Sequence, residues 1–275
     1  MCRWLAYSGS PIRLEELLVK RDRSLIDQSL HSRLGATTTN GDGFGVGWYD
    51  DTGTPRLYRS VHPAWNDRNL RELAAGISSR LFLAHIRAST GTAIQETNAH
   101  PFRHGQWLWM HNGLIREFPR LKRELVLAID ESLYPSIEGT TDSETMFYLA
   151  LSFGLESDPV AAVEQMVGFV AKTGQRHGVE QPIQMTIATT GGDSVYAFRY
   201  SSEGDSRSLY FSTRMDSLKA LYPDIAELAG LSDETRVVVS EPLGDLEGAW
   251  NAVPESHVGI VQPGEDELRP FTPQH

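Results

Sequence analysis

One cysteine occurs in the 275 residues, and it stands at position 2. A lone cysteine commonly serves as a small buried hydrophobe, and its position here opens a second reading. Removal of Met1 requires a small second residue, and cysteine qualifies. The product carries a thiol and a free α-amine on one residue. That amine has an ordinary pKa of about 8, so it can act as a general base near neutrality. A thiol beside its own base is an activated nucleophile that needs no histidine. The plainer reading, that Cys2 begins a buried strand, stays open at this point.

Other segments offer groups such a nucleophile could use. Arg87 follows an apolar run in Leu83-Ala-His-Ile-Arg-Ala-Ser-Thr90. It is either a surface arginine or a planar fork able to grip a carboxylate with two parallel hydrogen bonds. Trp107-Leu-Trp-Met-His-Asn-Gly113 reads as a strand that ends in a tight turn at Asn112-Gly113. The same pair could offer a side-chain amide and an open backbone N–H to an oxyanion. In Glu138-Gly-Thr-Thr-Asp-Ser-Glu144, Asp142 opens a helix behind the cap Thr141. It either complements the helix dipole or binds an ammonium group. The run Asn40-Gly-Asp-Gly-Phe-Gly-Val-Gly47 lacks the GK[ST] of a phosphate loop and enters a strand, so it predicts close backbone packing around a site. His100 and His104 are separated by Pro101, which argues against a helix presenting both to a metal. His85, His100 and His111 are expected as hydrogen-bonded residues packed near a site, and no metal or cofactor is predicted.

Short β-type runs must position these groups: Arg3–Tyr7, Phe44–Tyr49, Arg56–Ser60, Leu81–Ile86, Trp107–His111, Ile183–Ala188, Ser194–Tyr200, Leu209–Ser212, Arg236–Ser240 and His257–Val261. Helical spacing marks Leu14–Val19, Asp67–Ser78, Pro119–Ile129, Asp142–Phe153 and Pro159–Ala171, with Glu144 as a capping-box partner of Thr141. Strands arrive in groups with helices between the groups, which predicts an α+β layered architecture. Glu203–Ser206 reads as a hairpin tip and Gly264–Glu267 as a tail. With no repeat or long linker, a single domain over residues 2–275 is expected.

The net charge of −11 argues against nucleic acid as a partner. No apolar run is long enough to span a bilayer, and the N-terminal segment does not have the pattern of a signal peptide, so a cytoplasmic chain is expected.

Taken in order, Met1-Cys2-Arg3, NGDGFGVGWY, AHIRAST, NAHPF, HNG and TTDSE resemble the class II glutamine amidotransferases, a branch of the N-terminal-nucleophile hydrolases. These motifs cover about the first half of the chain, and the likeness is looser beyond it. The resemblance implies a four-layer αββα sandwich with two antiparallel sheets packed face to face. It implies Cys2 as nucleophile, Asn112 and Gly113 as oxyanion hole, Arg87 on a substrate α-carboxylate and Asp142 on its α-ammonium. The substrate implied is a small γ-glutamyl amide. Larger members append a synthase domain, and no such fused domain is expected here. It is more similar to the stand-alone branch, which includes the ergothioneine-pathway amidohydrolase and a glutathione-degrading amidotransferase subunit. Three outcomes remain open on this reading: self-sufficient hydrolysis, ammonia delivery to a separate partner subunit, or a non-catalytic fold should Met1 be retained. Assembly as a homo-oligomer is a further possibility.

Overall fold

The computed structural model describes residues 2–34, 39–89 and 91–273. Met1, whose removal the cysteine reading requires, and Thr90, which ends AHIRAST, lie outside them. Thirteen strands occur among the described residues: β1 (Arg3–Arg13), β2 (Phe44–Tyr49), β3 (Pro55–Ser60), β4 (Ser78–Ile86), β5 (Phe102–His104), β6 (Trp107–Ile115), β7 (Ile183–Thr190), β8 (Val195–Ser201), β9 (Tyr210–Ser212), β10 (Arg236–Val239), β11 (Trp250–Ala252), β12 (His257–Val261) and β13 (Glu267–Pro270). The helices are α1 (Glu15–Leu18), α2 (Leu25–His31), α3 (Arg68–Gly76), α4 (Phe118–Leu127), α5 (Asp142–Ser152), α6 (Pro159–Arg176), α7 (Met215–Leu221) and α8 (Ala226–Ala229).

The strands form two antiparallel sheets, ordered β11-β9-β10-β1-β4-β2-β3 and β13-β12-β8-β7-β6-β5. Side chains alternate between the faces of a strand, and the apolar residues divide accordingly. On β1, Leu5 and Tyr7 join Leu17, Leu25, Leu70 and Ala74 of α1, α2 and α3. Trp4 and Ala6, one residue out of phase, meet Leu108 and Met110 of β6 between the sheets. On β6, Trp109 and Ile115 point the other way, into a core with Leu121, Phe147 and Val163 of α4, α5 and α6. Three apolar interfaces thus separate four layers, αββα, as the motif resemblance implies. Among the described residues no helix is long and apolar enough to cross a membrane.

Several boundaries differ from the sequence reading. The Asn112-Gly113 pair is strand interior, because β6 continues to Ile115 and pairs throughout with β7. Glu203–Ser206 is not a hairpin tip: β8 and β9 belong to different sheets, so this segment crosses between them. Gly264–Glu267 is not a tail: it turns the chain into β13, which begins at Glu267 and pairs with β12. β5, β11, β13 and helices α2, α7 and α8 were not expected. They are short, three to seven residues each, too brief for an apolar period to register.

Candidate active site

The two inner sheet faces open at one end into a cleft of about 830 Å³ lined by both sheets and by the start of α5. Parity decides what reaches it. Cys2 shares its phase with Trp4 and Ala6, so it faces the space between the sheets, and it lines the cleft half-buried. Its thiol lies 3.4 Å from the backbone N–H of Ala88, which donates to the sulfur. Burial pushes the thiol pKa up, opposed by that N–H and by the nearby charges of Arg87 and Arg3.

Arg87 leaves the end of β4 in phase with Leu81 and Leu83, and so turns inward. It is buried, 3% exposed. Its guanidinium donates to Thr92 Oγ1 at 2.7 Å, to the Ala93 carbonyl at 3.1 Å and, less closely, to Asp42 O and Ser89 Oγ. All of these acceptors are neutral, and among the described residues no carboxylate bonds the guanidinium directly; Asp42 favours its charge from beyond hydrogen-bond distance. Asp42 contributes instead to the backbone: its carboxylate accepts from Ser89 N–H at 2.7 Å, and its own N–H donates to Arg87 O. The glycine run packs tightly beside this turn, as expected. A Cβ on Gly45 would stand 2.2 Å from the carbonyl oxygen of His100.

Across the cleft, β5 pairs with β6 only from Trp107 to Trp109, so residues 110–115 of β6 have a free edge. Arg116 gives its N–H to Pro182 on the β7 side, whereas Ile115 gives its N–H to Asp142 Oδ2 at 2.8 Å on the other. The alternation of an antiparallel strand turns the Gly113 N–H to the same free edge as that of Ile115. Gly113 could be no other residue: a Cβ there would fall 1.9 Å from Gln184 O, inside the β6–β7 ladder. Asn112, in phase with Leu108 and Met110, projects into the inter-sheet space that Cys2 faces from the opposite sheet.

Asp142 is the first residue of α5. Ser143 donates its backbone N–H to Oδ1 at 2.8 Å, and Ile115 binds Oδ2, so the carboxylate is fixed by donors that carry no charge. Thr141 caps the helix by accepting from Glu144 N–H at 3.1 Å. The capping box is only half formed. Glu144 reaches past Thr141 to accept from the N–H groups of Glu138 and Gly139, holding the loop that precedes α5. Burial raises the Glu144 pKa against those two donors.

The three histidines are buried around the cleft, and burial lowers the pKa of each, that of His85 to about 3. His111 Nδ1 sits 2.8 Å from Ser143 Oγ, which in turn contacts Asp142. His85 bonds the backbone of His111 across the sheets, as expected of a hydrogen-bonded histidine, whereas neither ring nitrogen of His100 has a partner among the described residues. The two rings lie 4.2 Å apart, tilted by 32°. His104 packs against Tyr148 instead of joining His100.

Cys2, Arg87, Asn112, Gly113, Thr141, Asp142, His100 and His111 therefore line one cleft, with His85 beneath His100. Sequence reasoning missed Asp42, Ser89, Thr92, Ser143 and Arg207. Three of these stand inside the quoted motifs. Thr92 lies two residues past AHIRAST, and Arg207 stands in no motif.

The sequence pattern of the class II glutamine amidotransferases matches residues 18–273. The chain belongs to that family. A probable glutamine amidotransferase of Saccharomyces cerevisiae, DUG3, is 32% identical over 100% of this chain and 85% of its own length. A γ-glutamyl-hercynylcysteine sulfoxide hydrolase of Mycolicibacterium smegmatis is also 32% identical, over 98% of this chain and 100% of its own. Among solved structures, a glutamine aminotransferase class-II domain protein from Silicibacter pomeroyi superposes with a TM-score of 0.76 at 32% identity, covering 100% of both chains. The amidotransferase family and the αββα architecture read from the ordered motifs thus stand.

Proposed function

We propose that this amidotransferase-family chain hydrolyses γ-glutamyl amides through a thioester on Cys2. The observation that carries the reading is the cleft's charge pattern: Arg87 and Asp142, whose hydrogen bonds among the described residues go to neutral groups alone, beside a thiol and a strand edge that no other strand covers. A γ-glutamyl group has a carboxylate and an ammonium at one end and an amide at the other. Arg87 takes the carboxylate, Asp142 takes the ammonium, and the amide carbonyl comes to rest over Cys2 Sγ.

With Met1 removed, the α-amine of Cys2 accepts the thiol proton as sulfur attacks the carbonyl carbon. The need for that base follows from burial, which favours the neutral thiol at neutral pH. Negative charge develops on the carbonyl oxygen, and the Asn112 side-chain amide and the Gly113 N–H receive it. The ammonium of Cys2 returns the proton to the departing amine as the C–N bond breaks. Water then cleaves the thioester, releasing glutamate and restoring the thiol.

Similarity to a γ-glutamyl-hercynylcysteine sulfoxide hydrolase over that protein's full length supports hydrolysis of a γ-glutamyl amide. The test is glutamate release by the purified, Met1-free chain from γ-glutamyl amides, beside its Cys2→Ala variant. Release by the first and none by the second is the expected result. Equal release by both would refute Cys2 as nucleophile. Release only after addition of a second subunit would favour ammonia delivery to a partner.

A further inference from the structure

The cleft has a second charged wall that the γ-glutamyl group does not use. Strand β1 lies between β4 and β10. Arg87 stands at the end of β4, on one side of Cys2. On the other side β10 ends at Val239, and Ser208 ties the β8–β9 crossover to it by donating to Ser240 O at 2.8 Å. Arg207, the residue before Ser208, lines the same cleft as Cys2 and lies within electrostatic reach of the thiol.

Its chemistry is unspent. Two other arginines on this side of the molecule are already matched. Arg3 bonds Glu241 at 2.8 Å on the outer face of the sheet, and Arg116 pairs with Glu203. Arg207 makes no ion pair and no side-chain hydrogen bond among the described residues, and its Nε is buried without a partner. The carboxylate of Asp205, two residues before it, is exposed and does not bridge it. The segment is nonetheless well anchored: Ser206 gives its N–H to Glu255 at 3.1 Å and accepts from Arg199 at 3.0 Å. A half-buried guanidinium left without an acceptor is costly, and the cost is recovered when an anion binds.

We infer that Arg207 receives a carboxylate carried by the amine half of the γ-glutamyl amide. This rests on the γ-glutamyl reading above. With the acyl half fixed between Arg87 and Asp142, the leaving amine extends past Cys2 toward the β10 side, where Arg207 stands. The preferred substrates are then γ-glutamyl amides of amino acids or peptides, whose leaving amine bears a carboxylate, and not glutamine itself.

A minimal substrate pair tests it. γ-Glutamyl-alanine and γ-glutamyl ethylamide differ only by the carboxylate on the leaving amine. The wild-type chain is expected to favour the first in kcat/KM by roughly ten- to a hundredfold, the range of a charge-assisted hydrogen bond. Arg207→Gln should collapse that ratio toward one, and Arg207→Lys should retain part of it. A wild-type ratio near one, or an unchanged ratio in Arg207→Gln, would overturn the assignment while leaving γ-glutamyl hydrolysis intact. Equal losses on both substrates, with a shifted pH dependence of Cys2 alkylation by iodoacetamide, would make Arg207 a tuner of the thiol and also overturn it. If the wild type cleaves neither amide, the γ-glutamyl reading itself falls, and this assignment with it.

Discussion

Arg3 and Arg87 are both buried, both at strand ends near Cys2, and both members of a quoted motif. Their surroundings differ in one respect. Arg3 is met by Glu241, a carboxylate that also accepts from Arg23, Ser32 and the N–H groups of Arg33 and Leu34. Burial would raise the Glu241 pKa, but those donors and the Arg3 charge hold it below the ordinary glutamate value. Among the described residues Arg87 gives its hydrogen bonds only to hydroxyls and carbonyls. The first arrangement satisfies a charge within the protein, and the second orients a charge and leaves it for a ligand. Which one an arginine adopts is set by strand parity. Arg3 shares its phase with Leu5 and Tyr7 and faces α2, while Arg87 shares its phase with Leu81 and Leu83 and faces the cleft.

That contrast can be broken from either side. The largest effect is expected at Glu241. Glu241→Ala leaves Arg3 buried without its carboxylate and Arg23 with Asp245 alone, at a cost of about 3–5 kcal/mol in stability, read from the urea midpoint at constant slope. The sign with pH follows from the lowered pKa. The wild-type contribution is present above the unfolded glutamate value of about 4.3 and is lost as pH falls through the lower folded value. The gap between wild type and Glu241→Gln should therefore narrow below about pH 4. A gap that widened in acid would contradict the pairing.

Arg87→Lys should act on activity more than on folding. A point-charge ammonium cannot reproduce the fork, and kcat/KM on a γ-glutamyl amide is expected to fall at least about thirtyfold. The urea midpoint should move less than for Glu241→Ala. The reverse ranking would make Arg87 a structural residue like Arg3. Smallest is Thr92→Val, which removes the 2.7 Å acceptor that orients the Arg87 guanidinium. Loss of one such hydrogen bond is worth about 1 kcal/mol, or roughly a fivefold rise in KM with kcat little changed.

How much of this was legible in the sequence varies with the physical signal. The expected bounds of Phe44–Tyr49 and His257–Val261 agree with the structure to the residue, because Gly43 and Asp50 bound the first compact apolar run and Pro254 and Pro263 lie just outside the second. Asn112-Gly113 was misjudged as a turn because local propensity favours one there. The tertiary requirement, a backbone pressed against Gln184 with no room for Cβ, is invisible locally. The half-formed capping box has a similar cause: Glu144 finds two N–H groups in a loop no pattern foretells. Arg87 and Asp142 were legible as candidates, yet their neutral surroundings come from Thr92, Ala93 and Ile115, residues whose types announce nothing. Arg207 was not legible at all. It stands just past Glu203–Ser206, the segment whose pattern suggests a hairpin tip, and the pairing of β8 and β9 with different sheets brings it to the cleft.

The reading depends most on Cys2 carrying the acyl group with its own amine free. Mixing the Met1-free chain with a γ-glutamyl amide, quenching in acid during turnover and mapping the N-terminal peptide by mass spectrometry addresses both points at once. The expected spectrum shows a peptide beginning at Cys2 with an unmodified amine and a glutamyl group in thioester linkage to sulfur. A chain that turns over with Met1 still attached, or with no acyl mass on Cys2, would contradict the account.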